Sequence, residues 1–181
     1  MVNLKKGILF LFITLLSSCG DYYLATPDGG GLRSKRKYKW FIKSRINPES
    51  IGIDTEVIYK KTHSYKNGEF RFYKNVNRGY DLYLRFYKNG TVYSFNVDSS
   101  KVLNKNSFDP EKGDIGFVIK RGDKYLHMFY TLMDAGQFLK SGIRMKDDTL
   151  GFYFKNRQDE FLSYYKKIKV PKEWLDYDPD Y

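Results

Sequence analysis

The residue types that most often carry catalysis or hold metals are scarce in this chain, which has one cysteine and two histidines. A zinc site built from Cys and His ligands needs more of them. His127 alternates with Tyr125 and Phe129, which sets it on one face of a strand, and His63 stands beside Thr62 and Ser64 at a strand end. Both read as structural or solvent-facing side chains rather than as ligands or general bases. No Gly-rich phosphate loop joins a strand to a helix, and no Gly-x-Ser-x-Gly elbow is present. Asp147-Asp148 fall in a tight turn, where Asp accepts local hydrogen bonds. Asp176, Asp178 and Asp180 alternate as at the opening of a calcium loop, without the Gly and distal Glu that complete one. Glycosidase carboxylates come from distant positions, and no spacing here singles out a pair. The chain therefore reads as a non-enzyme, with no metal and no cofactor expected.

Cys19 is the exception, because its surroundings specify a chemistry. Lys5 and Lys6 precede an apolar run from Gly7 to Leu16. That run is too short for the ~20 residues of a spanning helix and suits the ~7–15 residues of a signal-peptide core. Leu16-Ser17-Ser18-Cys19-Gly20 follows directly. This segment resembles the lipobox of bacterial lipoproteins. The resemblance implies that residues 1–18 are a signal peptide, that a peptidase cuts before Cys19, and that the Cys19 thiol carries a diacylglyceryl anchor. It also implies the cell envelope as the location, at the outer membrane where the bacterium has two. An ordinary secretory signal or an uncleaved anchor would leave the lone cysteine unexplained, since it has no partner for an intramolecular disulfide.

The formal charge of +11 falls to +9 once Lys5 and Lys6 leave with residues 1–18. Such a balance favours anionic partners, lipid or glycan among them. Nucleic acid is not an expected partner of an exported, tethered chain, and a scattered positive charge is equally the mark of a solvated surface. Residues 19–36 read as a flexible tether, because Thr26-Pro27-Asp28-Gly29-Gly30-Gly31 does not hold regular structure. Arg33, Lys35, Arg36, Lys37 and Lys39 close it with a basic cluster, which reads either as a membrane-facing patch or as a solvated linker end.

The elements that would position a site begin near residue 37. From there the hydrophobic period is two, the signature of strands. Leu82, Leu84 and Phe86 alternate with Tyr83, Arg85 and Tyr87, and Lys88-Asn89-Gly90 turns the chain into Val92–Val97. Further turns are expected at Arg121-Gly122-Asp123, Asp134-Ala135-Gly136, Asp147-Asp148 and Asn156–Asp159, with strands between them and a last strand over Phe161–Val170. Earlier strands are expected at Lys39–Arg45, Ile53–Lys61 and Glu69–Lys74, with a short helical turn near Asn47–Ile51 started by Pro48. Residues 171–181 read as an acidic, frayed tail. The fold class is all-β: an antiparallel up-and-down meander of about eight to ten strands over residues 37–170, curling into a barrel to protect its edges.

Gly142–Phe152 followed by Tyr164-Tyr165-Lys166-Lys167-Ile168 resembles the C-terminal end of lipocalin-like domains, and Phe86–Val92 is similar to their central hairpin. The Gly-x-Trp signature of the main lipocalin family is absent, since Tyr38 and Lys39 precede Trp40. The resemblance implies a barrel interior that is either filled or holds one small ligand. One face is expected to gather Leu84, Phe86, Tyr93, Phe95, Phe117, Met128, Tyr130, Phe152 and Phe154. These side chains form either a packed core or a calyx for a hydrophobic or amphipathic molecule, with Tyr93 and Tyr130 as its polar handles. The alternative is an interaction module that docks an envelope protein or a glycan through exposed Tyr83, Arg85 and Tyr87. Oligomeric state is not readable from the pattern.

Overall fold

The two-residue alternation becomes a run of antiparallel strands. A computed structural model describes residues 40–72, 79–131, 137–155 and 159–178, and a two-residue pair, β1 (Leu24–Ala25) with β2 (Leu32–Arg33). Cys19, the signal segment, most of the expected tether and the expected turn at Asp134–Gly136 lie outside the described residues. The pair β1–β2 brackets the Gly-rich segment.

The longer strands are β3 (Ile58–Lys66), β4 (Glu69–Phe72), β5 (Tyr80–Phe86), β6 (Thr91–Asp98), β7 (Asp114–Arg121), β8 (Lys124–Thr131), β9 (Gln137–Lys146), β10 (Thr149–Lys155) and β11 (Glu160–Ile168). Strands β5 to β11 pair in chain order, β5 pairs with β3, and β11 returns to β3 along its length. The expected meander thus closes into an eight-stranded antiparallel barrel. Strand β4 stands apart from that ring. It pairs with the second half of β3, from His63 to Lys66, whereas β5 pairs with Ile58–Lys60. At the handover β3 bulges: Lys61 pairs with Tyr165 and His63 with Tyr164, leaving Thr62 as the extra residue.

The barrel has a core on each side of its wall. Inside, Tyr59, Phe86, Val92, Val118 and Leu150 are buried with Ile53 and Val57. Outside, Tyr83, Tyr93, Phe95, Phe117 and Met128 are buried beneath three covering segments. The first is a helical turn at 40–43, from which Phe41 stacks on Phe117 at 6.1 Å. The second is the connection between β6 and β7, whose Phe108 meets Tyr83 and Phe95 edge-on. The third follows β11, where Trp174 lies against Phe108.

This double core corrects the expected common face. Tyr87 N–H donates to Thr91 O at 2.9 Å and Gly90 N–H to Tyr87 O at 2.8 Å, so the loop holds three residues and ends on Gly90 at φ 84°. Odd-numbered residues then face odd: Arg85 opposes Tyr93 and Tyr83 opposes Phe95, while Leu84 opposes Ser94 and Phe86 opposes Val92. A slip of one residue exchanges the faces of a strand. Leu84, Phe86, Phe152 and Phe154 face the interior, and Tyr93, Phe95, Phe117 and Met128 belong to the outer core. Tyr130 is placed by its backbone, opposite Phe138; its side chain is outside the described residues.

Three further expectations change. Residues 40–43 are helical rather than extended, with Ser44 N–H and Oγ donating to Trp40 O, and Arg45 keeps one bridge to Ile119. Residues 53–57 bend beneath the barrel, so β3 starts at Ile58. The C-terminal segment folds back as a 3-10 turn at Lys172–Leu175 and is not frayed through residue 178. The helical turn expected near Asn47 is a 3-10 turn at Pro48–Ile51, where Asn47 accepts from Glu49 N–H and Gly52 closes it in the left-handed region.

Candidate functional site: a half-filled barrel interior

One end of the interior is plugged. The Tyr59 ring meets Phe86 edge-on at 5.4 Å, and Tyr59 Oη accepts from Asp54 N–H at 2.9 Å. Burial pushes that phenol up to about 12. The segment from Ile46 to Val57 packs under these side chains. Its approach to the β5–β6 hairpin is close, since Gly90 lies where an added Cβ would stand 2.5 Å from Ile46 O.

Above the plug the interior opens into a cup of about 420 Å³. Leu82, Leu84, Phe152, Phe154 and Phe161 line its apolar side. Its polar residues are Lys61, His127, Tyr165 and three serines, Ser94, Ser141 and Ser163, the serines each from a different strand. The size falls in the ~300–1,000 Å³ range of small-molecule sites, and apolar walls with a few placed polar groups are what such sites share. Serine at three inward positions is what keeps the upper half open: Ser94 opposes Leu84, and Ser163 opposes Phe152, where larger side chains would fill the space.

His127 is buried in the cup wall, its ring 4.7 Å from that of Phe152. It lies over Gly116, where an added Cβ would stand 2.8 Å from Nε2. Burial pushes its pKa down to about 4, so the imidazole is neutral at neutral pH. Lys61 stands at the bulge of β3, opposite Tyr165. Burial pushes its ammonium down to about 8, which leaves it charged at neutral pH.

The outer wall falls into two parts. On the β5–β8 side, Tyr83, Arg85 and Tyr87 are 3%, 4% and 6% exposed, so they do not form the docking face expected of them. The Arg85 guanidinium lies 4.5 Å from the Tyr87 ring centre and donates to Trp174 O and Leu175 O of the returning C-terminal segment. On the opposite side, His63 stacks on Tyr164 at 4.7 Å, and Tyr65 and Phe70 join them, with Phe70 48% exposed. His63, placed in solvent by the sequence, thus sits in an aromatic cluster, where burial and Lys166 lower its pKa.

No family model, curated protein or solved structure matches the chain. The functional reading therefore rests on the site itself. Four of the nine expected ligand-binding residues face the interior, three of them (Leu84, Phe152 and Phe154) line the cup, and Phe86 sits in the plug below it. Sequence reasoning missed Lys61, Leu82, Ser94, His127, Leu139, Ser141, Phe161, Ser163 and Tyr165. The signal for Leu82 was present, since it shares the period of Leu84 and Phe86. The serines gave none, because a small polar residue at an inward position reads as a break in the apolar pattern.

Proposed function

We propose that this chain is a lipid-anchored, non-enzymatic binding protein of the bacterial cell envelope that holds a small amphipathic molecule in its barrel. The observation that carries the ligand reading is the half-filled interior: a plug at one end and a 420 Å³ cup with one apolar side at the other. A structural module would gain from filling that space, because each unfilled methyl-sized void costs about 1 kcal/mol. The anchor reading is supported by Leu16-Ser17-Ser18-Cys19 after its short apolar run. Stable anchoring takes two acyl chains or more, which a diacylglyceryl group supplies.

The ligand reading is tested by titrating the purified protein with a fluorescent aliphatic probe and by native mass spectrometry for a co-purified molecule. Saturable binding is expected, and Ser163→Phe, which fills the cup, should weaken it at least ten-fold while the thermal melt stays cooperative. A wild-type protein that binds no probe and carries no ligand would sink the reading. For the anchor, Cys19→Ser should leave an uncut precursor or release the chain from membranes; normal processing with unchanged membrane retention would overturn it.

A further inference from the structure

The barrel wall formed by β9, β10, β11 and β3 carries a second groove, on its outer side. Two rows of paired residues cross it: Lys146, Thr149 and Lys166 in one, and Arg144, Gly151, Tyr164 and His63 in the other. Both rows lie on the outer face, because Phe152, Ser163 and Tyr165, which alternate with them, line the cup. All of these residues but Lys166 line a groove of about 520 Å³, together with Asp147 and Leu162. One side of the groove is aromatic, where His63 stacks on Tyr164 at 4.7 Å and 21°. Gly151, the strand neighbour of both Tyr164 and Arg144, leaves the floor bare. A Cβ there would come no closer than 3.6 Å to Arg144 O or the Tyr164 ring, so the packing does not demand glycine. Glycine inside a strand marks a bulge or the close approach of another molecule, and the pairing on both sides of Gly151 is regular. The other side is cationic, with Arg144 and Lys146 exposed. Among the described residues neither of them, nor Lys166, makes an ion pair, whereas Lys60 and Lys167 do.

From this juxtaposition we infer that the groove binds a uronate unit of an anionic glycan, its ring over Gly151 against Tyr164 and its carboxylate at Arg144 and Lys146. A sugar ring has C–H faces and a rim of hydroxyls that both donate and accept. It therefore matches an aromatic wall with an acceptor, Asp147, and a hydroxyl, Thr149, beside it. The guanidinium fork pairs with a carboxylate through two parallel hydrogen bonds, which a neutral sugar does not offer. Arg144, Lys146 and Lys166 against Asp147 make the local field positive. His63, whose pKa burial and Lys166 lower, is neutral at neutral pH and backs the Tyr164 ring. A protein partner would seek an apolar patch with few charges, and Leu162 is the one aliphatic side chain in this lining. The site is separate from the cup and does not rest on the calyx reading.

Calorimetric titration with uronate oligosaccharides of the gluco, galacto and manno series, each beside its methyl ester, tests the inference. The ester keeps the ring and removes the charge. At least one acid form should bind about ten-fold or more tighter than its ester. Arg144→Gln should bring that acid form down to the affinity of the ester. Tyr164→Ala changes no charge and should still weaken binding about ten-fold, which separates a stacked ring from attraction of any polyanion to a basic protein. Gly151→Val, which raises the floor with a residue suited to strands, should abolish binding while the thermal melt stays cooperative. Equal affinity for acid and ester, or unchanged binding in folded Tyr164→Ala or Gly151→Val, would overturn the inference. So would failure of every oligosaccharide to bind, or self-association of the wild type that Gly151→Val abolishes, which would assign the groove to a second copy of the chain. None of these results bears on the cup, whose probe is aliphatic.

Discussion

His127 shows how one buried residue ties the interior to pH. Its folded pKa of about 4 lies below the ordinary histidine value of 6.5. Between these two values the unfolded chain binds a proton that the folded chain does not, so stability rises with pH across that window. The stabilisation is complete above pH 6.5 and is lost as the pH falls toward 4. The shift corresponds to about 3 kcal/mol at most. Urea unfolding at pH 7 and pH 4.5 should show the wild type losing stability more steeply than His127→Gln, by about 2–3 kcal/mol. Parallel losses in the two proteins would assign the acid sensitivity elsewhere. The sequence placed His127 on a strand face, which is where it sits, buried; whether that face was the interior depended on pairings far along the chain.

At the scale of single elements, the turns were legible because their chemistry is local. Gly90 and Gly122 both take positive φ, 84° and 57°, at the ends or centres of turns read from the sequence. Their surroundings separate them. A Cβ on Gly122 meets nothing within 4 Å, whereas one on Gly90 would collide with Ile46 O at 2.5 Å and Arg45 Cβ at 2.8 Å. Gly122→Ala should therefore cost about 1–2 kcal/mol, the penalty of a left-handed non-glycine residue. Gly90→Ala should cost about 1–3 kcal/mol more, because the hairpin must move off the segment that closes the barrel. Equal unfolding midpoints for the two variants would show that this contact does not hold the closed end. The same hairpin marks where legibility stopped. Strand periods were readable, but whether Tyr93 and Phe95 shared a face with Leu84 hung on one residue of register. The segment at 40–43 misled for a different reason: Trp40, Phe41 and Ile42 read as β-formers, yet a short helical turn is what lets Phe41 reach Phe117 on the outer wall. The pairing of β11 with β3 and the handover from β5 to β4 are non-local and left no trace in any one window.

At the scale of the whole molecule, the barrel is a wall with a core on both sides, and the outer core depends on the segments before β3, between β6 and β7, and after β11. The 18% aromatic content now has a place, because the rings that were expected to crowd the interior are divided between inside and outside, and that division leaves room for the cup. The returning C-terminal segment is the latch of the outer core. Trp174 lies against Phe108, and Arg85, buried in the wall, donates to Trp174 O and Leu175 O. Hydrogen bonds to a charged group contribute about 1.5–3 kcal/mol each, less what water returns to Arg85 once the segment is gone. A chain ending at Val170 should therefore lose about 2–5 kcal/mol of stability and bind a hydrophobic dye through the uncovered Phe108 and Tyr83. Unchanged urea midpoints without dye binding would show that the latch contributes nothing. Because the cup lies on the other side of the wall, the truncated chain, as long as it remains folded, should bind an aliphatic probe with wild-type affinity. A loss of binding in a folded truncated chain would mean that the two cores are coupled through the sheet.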